Sequence, residues 1–166
     1  MAAIKLFYGS TNGNTERVAD LIKSELGNVE VINIAKSTPK DIESANKLIF
    51  GTSTWQDGEL QEDWEEFFPS MDEIDFSGKT IALFGLGDSY GYPDAFVNGL
   101  GILAEKIKEK GGKLVGNWST EGYDFESSSA VQNGNFVGLA IDEENESDKT
   151  ETRVKEWVAS IKPSFA

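Results

Sequence analysis

The 166-residue sequence predicts an α/β fold of three layers, a parallel β-sheet with helices on both faces. Three observations predict it. Short apolar runs recur at Ile4–Tyr8, Val29–Ile34, Lys47–Thr52, Thr80–Gly85 and Lys113–Val115. Segments with apolar residues three and four apart separate these runs. The first and third runs are apolar enough to be buried on both sides, as strands of a doubly covered sheet are.

The first run, Ile4–Tyr8, leads into a polar turn, Gly9-Ser10-Thr11-Asn12-Gly13-Asn14-Thr15, and then into a helical pattern from about Glu16. Val18, Leu21, Ile22 and Leu26 form its apolar stripe, and Gly27 is placed to close it with a left-handed cap. After the second strand, Pro39–Ser44 reads as a short helical or turn-like piece. The third strand is followed by a helix from Leu60 to Phe68, with Leu60, Trp64, Phe67 and Phe68 on one side and Pro69 as its stop. Phe96, Leu100, Leu103, Ala104 and Ile107 mark the helix after the fourth strand, which Gly111-Gly112 closes. The fifth strand begins at Lys113–Val115 and resumes at Phe136–Ile141. Residues 118–135, rich in Ser, Gly, Asn and aromatics, have no period and read as an excursion inserted into that strand. Asp142-Glu143-Glu144-Asn145-Glu146 reads as a solvated loop, and Val154, Trp157, Val158 and Ile161 mark the last helix. No internal repeat interrupts this plan, so residues 1–166 are expected to form one domain.

Composition narrows the chemistry. With 15 basic and 29 acidic residues the net charge is −14, which repels nucleic acid and anionic membranes and attracts basic protein surfaces. Histidine and cysteine are both absent. Imidazole and thiolate metal ligands, disulfides and Ser/His or Cys/His nucleophiles are therefore excluded together, and catalysis by the chain's own side chains is not expected. Met1-Ala2-Ala3-Ile4 shows no basic flank before a long apolar segment, and no apolar run approaches a membrane span, so a soluble, cytoplasmic protein is expected.

A strand that turns into a helix through Ser10–Thr15 offers backbone N–H groups and the positive end of a helix dipole to one small volume, which suits a phosphate. The turn lacks the Gly-Lys-Ser/Thr ending of a triphosphate-binding loop, so its neutral donors (Ser10, Thr11, Asn12, Asn14, Thr15) fit one terminal phosphate. The plainer reading is a polar turn with Asn14 or Thr15 as helix cap. In doubly covered sheets ligands sit beyond the carboxyl ends of the strands, where two further loops converge. One, Ser53-Thr54-Trp55-Gln56-Asp57-Gly58, carries an indole. The other, Gly85-Leu86-Gly87-Asp88-Ser89-Tyr90-Gly91-Tyr92-Pro93-Asp94, carries phenols at Tyr90 and Tyr92. Taken singly, Trp55 and Tyr92 read as packing residues and Asp88 as a turn cap. Together, a phosphate cradle and two flat aromatic faces match a planar ring system with one phosphate tail, flavin mononucleotide (FMN).

These residues resemble the flavodoxins, and in particular the long-chain group, from about Ile4 to Pro163. The likeness rests on Ser10–Thr15, on Thr54-Trp55 with Gly58-Glu59-Leu60, on Gly87-Asp88 with Gly91-Tyr92 and Asp94, and on Trp118-Ser119-Thr120-Glu121-Gly122-Tyr123. The resemblance implies a flavodoxin-like fold, a five-stranded sheet in the order 2-1-3-4-5. That order, with FMN where it reverses, belongs to the family and is implied by the resemblance alone. It further implies that Ser10, Thr11, Asn12, Gly13, Asn14 and Thr15 hold the phosphate, that Trp55 covers the inner face of the isoalloxazine with Thr54 beside it in the cofactor site, and that Tyr92 stacks on the outer face. The peptide between Gln56 and Asp57, or its neighbour at Gly58, would face flavin N5, and Gly87 and Asp88 would meet the pyrimidine edge. Position 12 is Asn where the family most often has Thr, Gln56-Asp57 is not its commonest pair, and Ala95 stands where relatives often place a polar residue.

The implied function is that of a low-potential carrier of single electrons with a stabilised neutral semiquinone, not an enzyme. It would act as a monomer with basic redox partners such as a ferredoxin- or flavodoxin-NADP reductase, photosystem I, nitrogenase or a pyruvate-oxidising enzyme. Two rivals share the architecture. An FMN-dependent NAD(P)H:quinone reductase would need a nicotinamide pocket, for which no element is seen. A phosphoacceptor receiver would need paired acids after the first strand, where Tyr8-Gly9-Ser10 stands.

Overall fold

A computed structural model describes residues 4–55 and 57–166. The reading of Met1-Ala2-Ala3 and the site assignment of Gln56 lie outside the described residues. The elements follow in the order β1 (Ile4–Tyr8), α1 (Asn14–Leu26), β2 (Val29–Asn33), α2 (Pro39–Glu43), β3 (Lys47–Trp55), β4 (Glu59–Leu60), α3 (Glu62–Phe67) and β5 (Thr80–Leu86). The second half comprises α4 (Asn98–Glu109), β6 (Lys113–Val115), β7 (Trp118–Ser119), β8 (Val131–Gln132), β9 (Asn135–Phe136), β10 (Leu139–Ile141), α5 (Glu143–Glu146) and α6 (Thr150–Ile161).

The main sheet runs β2-β1-β3-β5, all parallel, and its last place is shared. β6 pairs with the first half of β5 (Thr80 beside Lys113) and β10 with the second half (Phe84 beside Leu139). This is the order 2-1-3-4-5 with an interrupted fifth strand, as the sequence reading had it.

Because side chains alternate across a strand, each strand feeds two cores. From β1, Ile4, Leu6 and Tyr8 join Val18, Ala19 and Ile22 of α1 and Val154, Trp157, Val158 and Ile161 of α6 on one face. Phe7 points the other way, into a cluster with Phe50, Trp64 and the α4 residues Leu100, Leu103, Ala104 and Ile107. Leu6 and Phe7 are both fully buried, which explains why the run is apolar without alternation. Each such side chain contributes roughly 1.5–3 kcal/mol by leaving water.

Several boundaries differ from the sequence reading. β3 continues three residues past Thr52 because Thr54 and Trp55 pair antiparallel with Leu60 and Glu59 of β4. Leu60 therefore lies in a strand, and α3 starts at Glu62. α3 ends at Phe67, ahead of Pro69 as expected, and the chain continues as a 3-10 stretch, Phe68–Glu73, in whose first positions Pro69 sacrifices no hydrogen bond. Phe96 precedes α4 rather than lying within it. Phe136 belongs to β9, in a small antiparallel sheet β7-β9-β8 built by the excursion, and the fifth strand resumes only at Leu139. The acidic run is not a solvated loop: Asp142 is fully buried and caps α5, its carboxylate accepting from the Asn145 amide at 3.0 Å.

Candidate functional site

The parallel strands aim three loops at one end of the sheet. The loop after β1 leads to α1 through Gly13, whose φ of 88° is open to glycine and strained for other residues. Neither Asn14 nor Thr15 caps the helix. Instead the Ser10 hydroxyl accepts from the Gly13 amide at 3.0 Å, and the Asn12 side chain accepts from the Asn14 amide at 3.1 Å. The next amides of the first turn have no intrahelical acceptor. Thr15 is fully buried and its Oγ1 has no hydrogen-bond partner. A buried hydroxyl left orphaned costs about 1–3 kcal/mol, so the start of α1 is built with an unmet donor at Thr15 beside the Thr15 and Glu16 amides, which have no intrahelical acceptor.

The second loop is the tip of the β3–β4 hairpin. The Gly58 amide donates to the Trp55 carbonyl at 3.2 Å, with Gly58 at φ 107°, and a Cβ there would lie 2.8 Å from Asn98 Nδ2. The Thr54 hydroxyl accepts from the Gly99 amide at 2.8 Å, tying the hairpin to α4, and Trp55 Nε1 donates to Ser53 Oγ at 3.0 Å. The third loop follows β5. Gly87 leaves room for the Val97 backbone, whose nitrogen would lie 2.9 Å from a Cβ at position 87. Asp88 Oδ1 accepts from the Gly91 amide at 2.8 Å and the Tyr90 amide at 3.2 Å, and the Asp88 carbonyl accepts from the Tyr92 amide at 2.9 Å.

These loops enclose a cleft of about 370 Å³, within the range of small-molecule sites. Of the residues singled out from the sequence, Asn12, Asn14, Thr54, Trp55, Gly87, Asp88 and Tyr92 line it. Trp55 and Tyr92 are among the few large apolar side chains left exposed, at 39% and 42%, and they reach the cleft from different loops. Ser10, Gly13 and Thr15 form the loop behind Asn12 and Asn14, and Asp57 and Gly58 form the turn after Trp55. Thr11 opens onto a smaller neighbouring hollow that also holds Trp55, Glu59, Glu62 and Glu65. Tyr90, the other phenol considered, is 66% exposed and does not line the cleft among the described residues.

Other residues at the site were not foreseen. Glu143 and Glu144 of α5 line the cleft, and Glu143 is ion-paired with Arg17 of α1 and accepts from the Thr150 hydroxyl. Gln61, almost fully buried, accepts from the Asp63 and Trp64 amides to cap α3 and donates to Thr11 Oγ1 at 3.2 Å, bracing the first loop. Gln is not a favoured cap, so its type gave no signal. Burial pushes the Asp88 carboxyl up, but donation from the Gly91 amide, the Asn145 side chain and the Tyr90 amide outweighs it and holds Asp88 below the usual carboxylate range. Groups of three or more acidic side chains able to hold a metal are absent among the described residues.

A row of amides with an orphaned Thr15 hydroxyl, and two exposed aromatic side chains lining the cleft, fit a ring system with a single phosphate tail. Comparison with known proteins points the same way. The Flavodoxin family profile matches residues 6–157. Flavodoxin of Synechocystis sp. is 52% identical over 166 residues, covering 98% of both chains, and flavodoxin of Nostoc sp. is 50% identical over 164 residues, covering 98% of this chain and 96% of that one. Among solved structures, Fusobacterium nucleatum flavodoxin bound to flavin mononucleotide superposes with a TM-score of 0.95 at 36% identity over the full length of both chains. Oxidised Flavodoxin 2 from Bacillus cereus gives 0.78 at 29% identity, covering 99% of this chain and 100% of that one.

Proposed function

The chain belongs to the flavodoxin family, and from that membership and the cleft described above we propose that it is an electron carrier that binds FMN non-covalently and passes single electrons between redox proteins. The observation that carries this reading is the orphaned, buried Thr15 hydroxyl in the first turn of α1, directly behind Asn12 and Asn14, which line the cleft together with Trp55 and Tyr92. FMN supplies the redox chemistry when bound, and the protein supplies binding and electrostatics.

Ser10, Thr11, Asn12, Gly13, Asn14 and Thr15 hold the phosphate with neutral donors. Trp55 and Tyr92 cover the two faces of the ring, and Gly87 and Asp88 meet its pyrimidine edge. The turn after Trp55, with Asp57 and Gly58, would present its backbone to the N5 edge of the ring, as the family resemblance implies. Glu143 and Glu144 line the cleft in a chain of net charge −14 and oppose further negative charge on the ring, which lowers the potential of the second electron. Residues 1–166 act as one FMN-binding domain, monomeric and cytoplasmic. No helix among the described residues is long and apolar enough to cross a membrane.

The protein works with other redox proteins. Its partners are basic, of the kind represented by a ferredoxin- or flavodoxin-NADP reductase, photosystem I, nitrogenase or a pyruvate-oxidising enzyme. The acidic residues Glu59, Glu62 and Glu65 beside exposed Trp55 support that reading. The test is direct. Purified protein is expected to be yellow, to release FMN on denaturation, and to oxidise NADPH only when a reductase is added. A colourless chain that takes up no FMN overturns the proposal, and NADPH oxidation by the chain alone would favour a quinone reductase.

A further inference from the structure

The loop that carries Asp88 and Tyr92 is not held by its own strand alone. Asp142, fully buried at the end of β10, accepts from the Ser89 amide at 3.2 Å and the Ser89 hydroxyl at 2.5 Å. Asn145, one turn on in α5, sends its side-chain NH2 to Asp142 Oδ1 at 3.1 Å, to Asp142 Oδ2 at 2.9 Å and to Asp88 Oδ1 at 2.8 Å. Among the described residues no lysine or arginine lies within ion-pair distance of either carboxylate. Two acids from different parts of the chain are therefore joined by one neutral amide. The Asn side chain suits this place because its single nitrogen carries two N–H bonds and can donate to both carboxylates at once.

α5 is itself fixed from the far side. Glu146 accepts from Lys149 at 2.7 Å and pairs with Arg153 at 3.1 Å, and the Arg153 guanidinium lies 4.0 Å from the centre of the Tyr123 ring. The bridge thus sits on a short helix that other contacts hold in place. Glu143 and Glu144 of the same helix are the remaining charged groups facing the cleft beside Asp88, and Glu143 is engaged by Arg17.

We propose that Asn145 is a positioning residue for FMN: acting through Asp88 and Asp142, its side-chain amide holds the 88–92 loop in the conformation that meets the flavin. Without the bridge, Asp88 and Asp142 face each other as two negative charges with no shared donor, and the loop moves away from α5. This rests on the FMN reading above, and the bridge itself is defined by the chain alone.

Asn145 is on the surface, so its variants are expected to fold. The experiment compares wild type, Asn145→Ala and the isosteric Asn145→Asp by three measurements: amide hydrogen exchange at Tyr90 and Gly91, with β5 amides as the control; NMR titration of the Asp88 carboxyl; and the Kd for FMN. Asn145→Ala is expected to speed exchange at Tyr90 and Gly91 about tenfold with β5 unchanged, to move Asp88 toward the ordinary carboxylate value, and to weaken FMN binding about five- to tenfold. Asn145→Asp, equal in shape and without the donor, is expected to be at least as impaired near neutral pH and to recover relative to wild type as the pH falls, when a protonated carboxyl restores one bridge. A packing role would spare Asn145→Asp and harm only Asn145→Ala, and that result overturns the proposal. Unchanged exchange and titration in both variants also overturn it, whatever the affinity. If wild type binds no FMN, the functional reading fails, while exchange and titration still decide the bridge.

Discussion

Thr15 shows how one atom separates two kinds of stability. Its hydroxyl is buried without a partner, so Thr15→Val removes an unmet polar group at nearly constant shape. The ligand-free chain is expected to gain about 1 kcal/mol by denaturant unfolding, while FMN affinity falls about tenfold by fluorescence titration. A variant that lost both would place the hydroxyl in an ordinary structural role. Glu144 is the matching electrostatic case. It lines the cleft, and Glu144→Gln is expected to raise the potential of the second electron by about 20–60 mV in a redox titration, the scale of a single partly screened charge near the ring. Neither Glu144 nor the Asp142–Ser89 contact was legible in the sequence, and the reason is distance along the chain. Ser89 and Asp142 are 53 residues apart, and Gln61 reaches Thr11 across 50. Local pattern shows which residues are polar, not which distant buried group each one satisfies. Asn12, Trp55 and Tyr92 were legible because their loops are placed by topology alone.

Among the elements, α1, α4 and α6 and the strands β1, β3 and β5 were legible from periodicity, since each presents a continuous apolar face to a sheet. The excursion was legible as an insertion, but its small sheet was not, because its two-residue strands are too short for any period. Its packing answers what it supports. Tyr123, Phe125 and Phe136 lie with ring centres 5.9, 5.4 and 5.8 Å from fully buried Phe96, which follows the Tyr92 loop, and the Ser129 amide donates to Asn98 at the start of α4 at 2.8 Å. Tyr123 makes this testable by pH. Burial is the main cause that pushes its phenol up to about 12, against the Arg153 charge and the Trp118 donation, which lower it. The folded value lies above the unfolded one, so the stabilisation is complete below about pH 10 and is lost as the pH rises toward 12. Tyr123→Phe is expected to remove roughly 2–3 kcal/mol of alkaline dependence in urea unfolding, leaving the part due to Tyr8, also pushed up to about 12, chiefly by burial with the Glu16 contact adding to it. An alkaline limb unchanged in Tyr123→Phe would show that the phenol is not shielded as packed.

At the scale of the whole molecule the net charge of −14 acts on kinetics more than on the fold. Acids at Glu59, Glu62 and Glu65 share a small hollow with Trp55, while Glu143 and Glu144 line the adjoining cleft, so negative field is concentrated where the ring edge would be exposed. A basic partner is then steered to that edge over distances comparable with the Debye length, about 10 Å at 0.1 M salt. Steering changes the association rate and leaves electron transfer within the docked pair little affected. Stopped-flow reduction by a basic reductase is therefore expected to slow about tenfold or more between roughly 0.02 and 0.2 M salt in its second-order rate, with the limiting rate at saturation nearly constant. Glu62→Gln with Glu65→Gln should flatten the salt dependence and lower the low-salt rate, since both carboxylates belong to the field that is being screened. A second-order rate indifferent to salt would leave the acidic face without a part in docking, and the apolar surface of Trp55, Tyr90 and Tyr92 would then have to supply the orientation by itself.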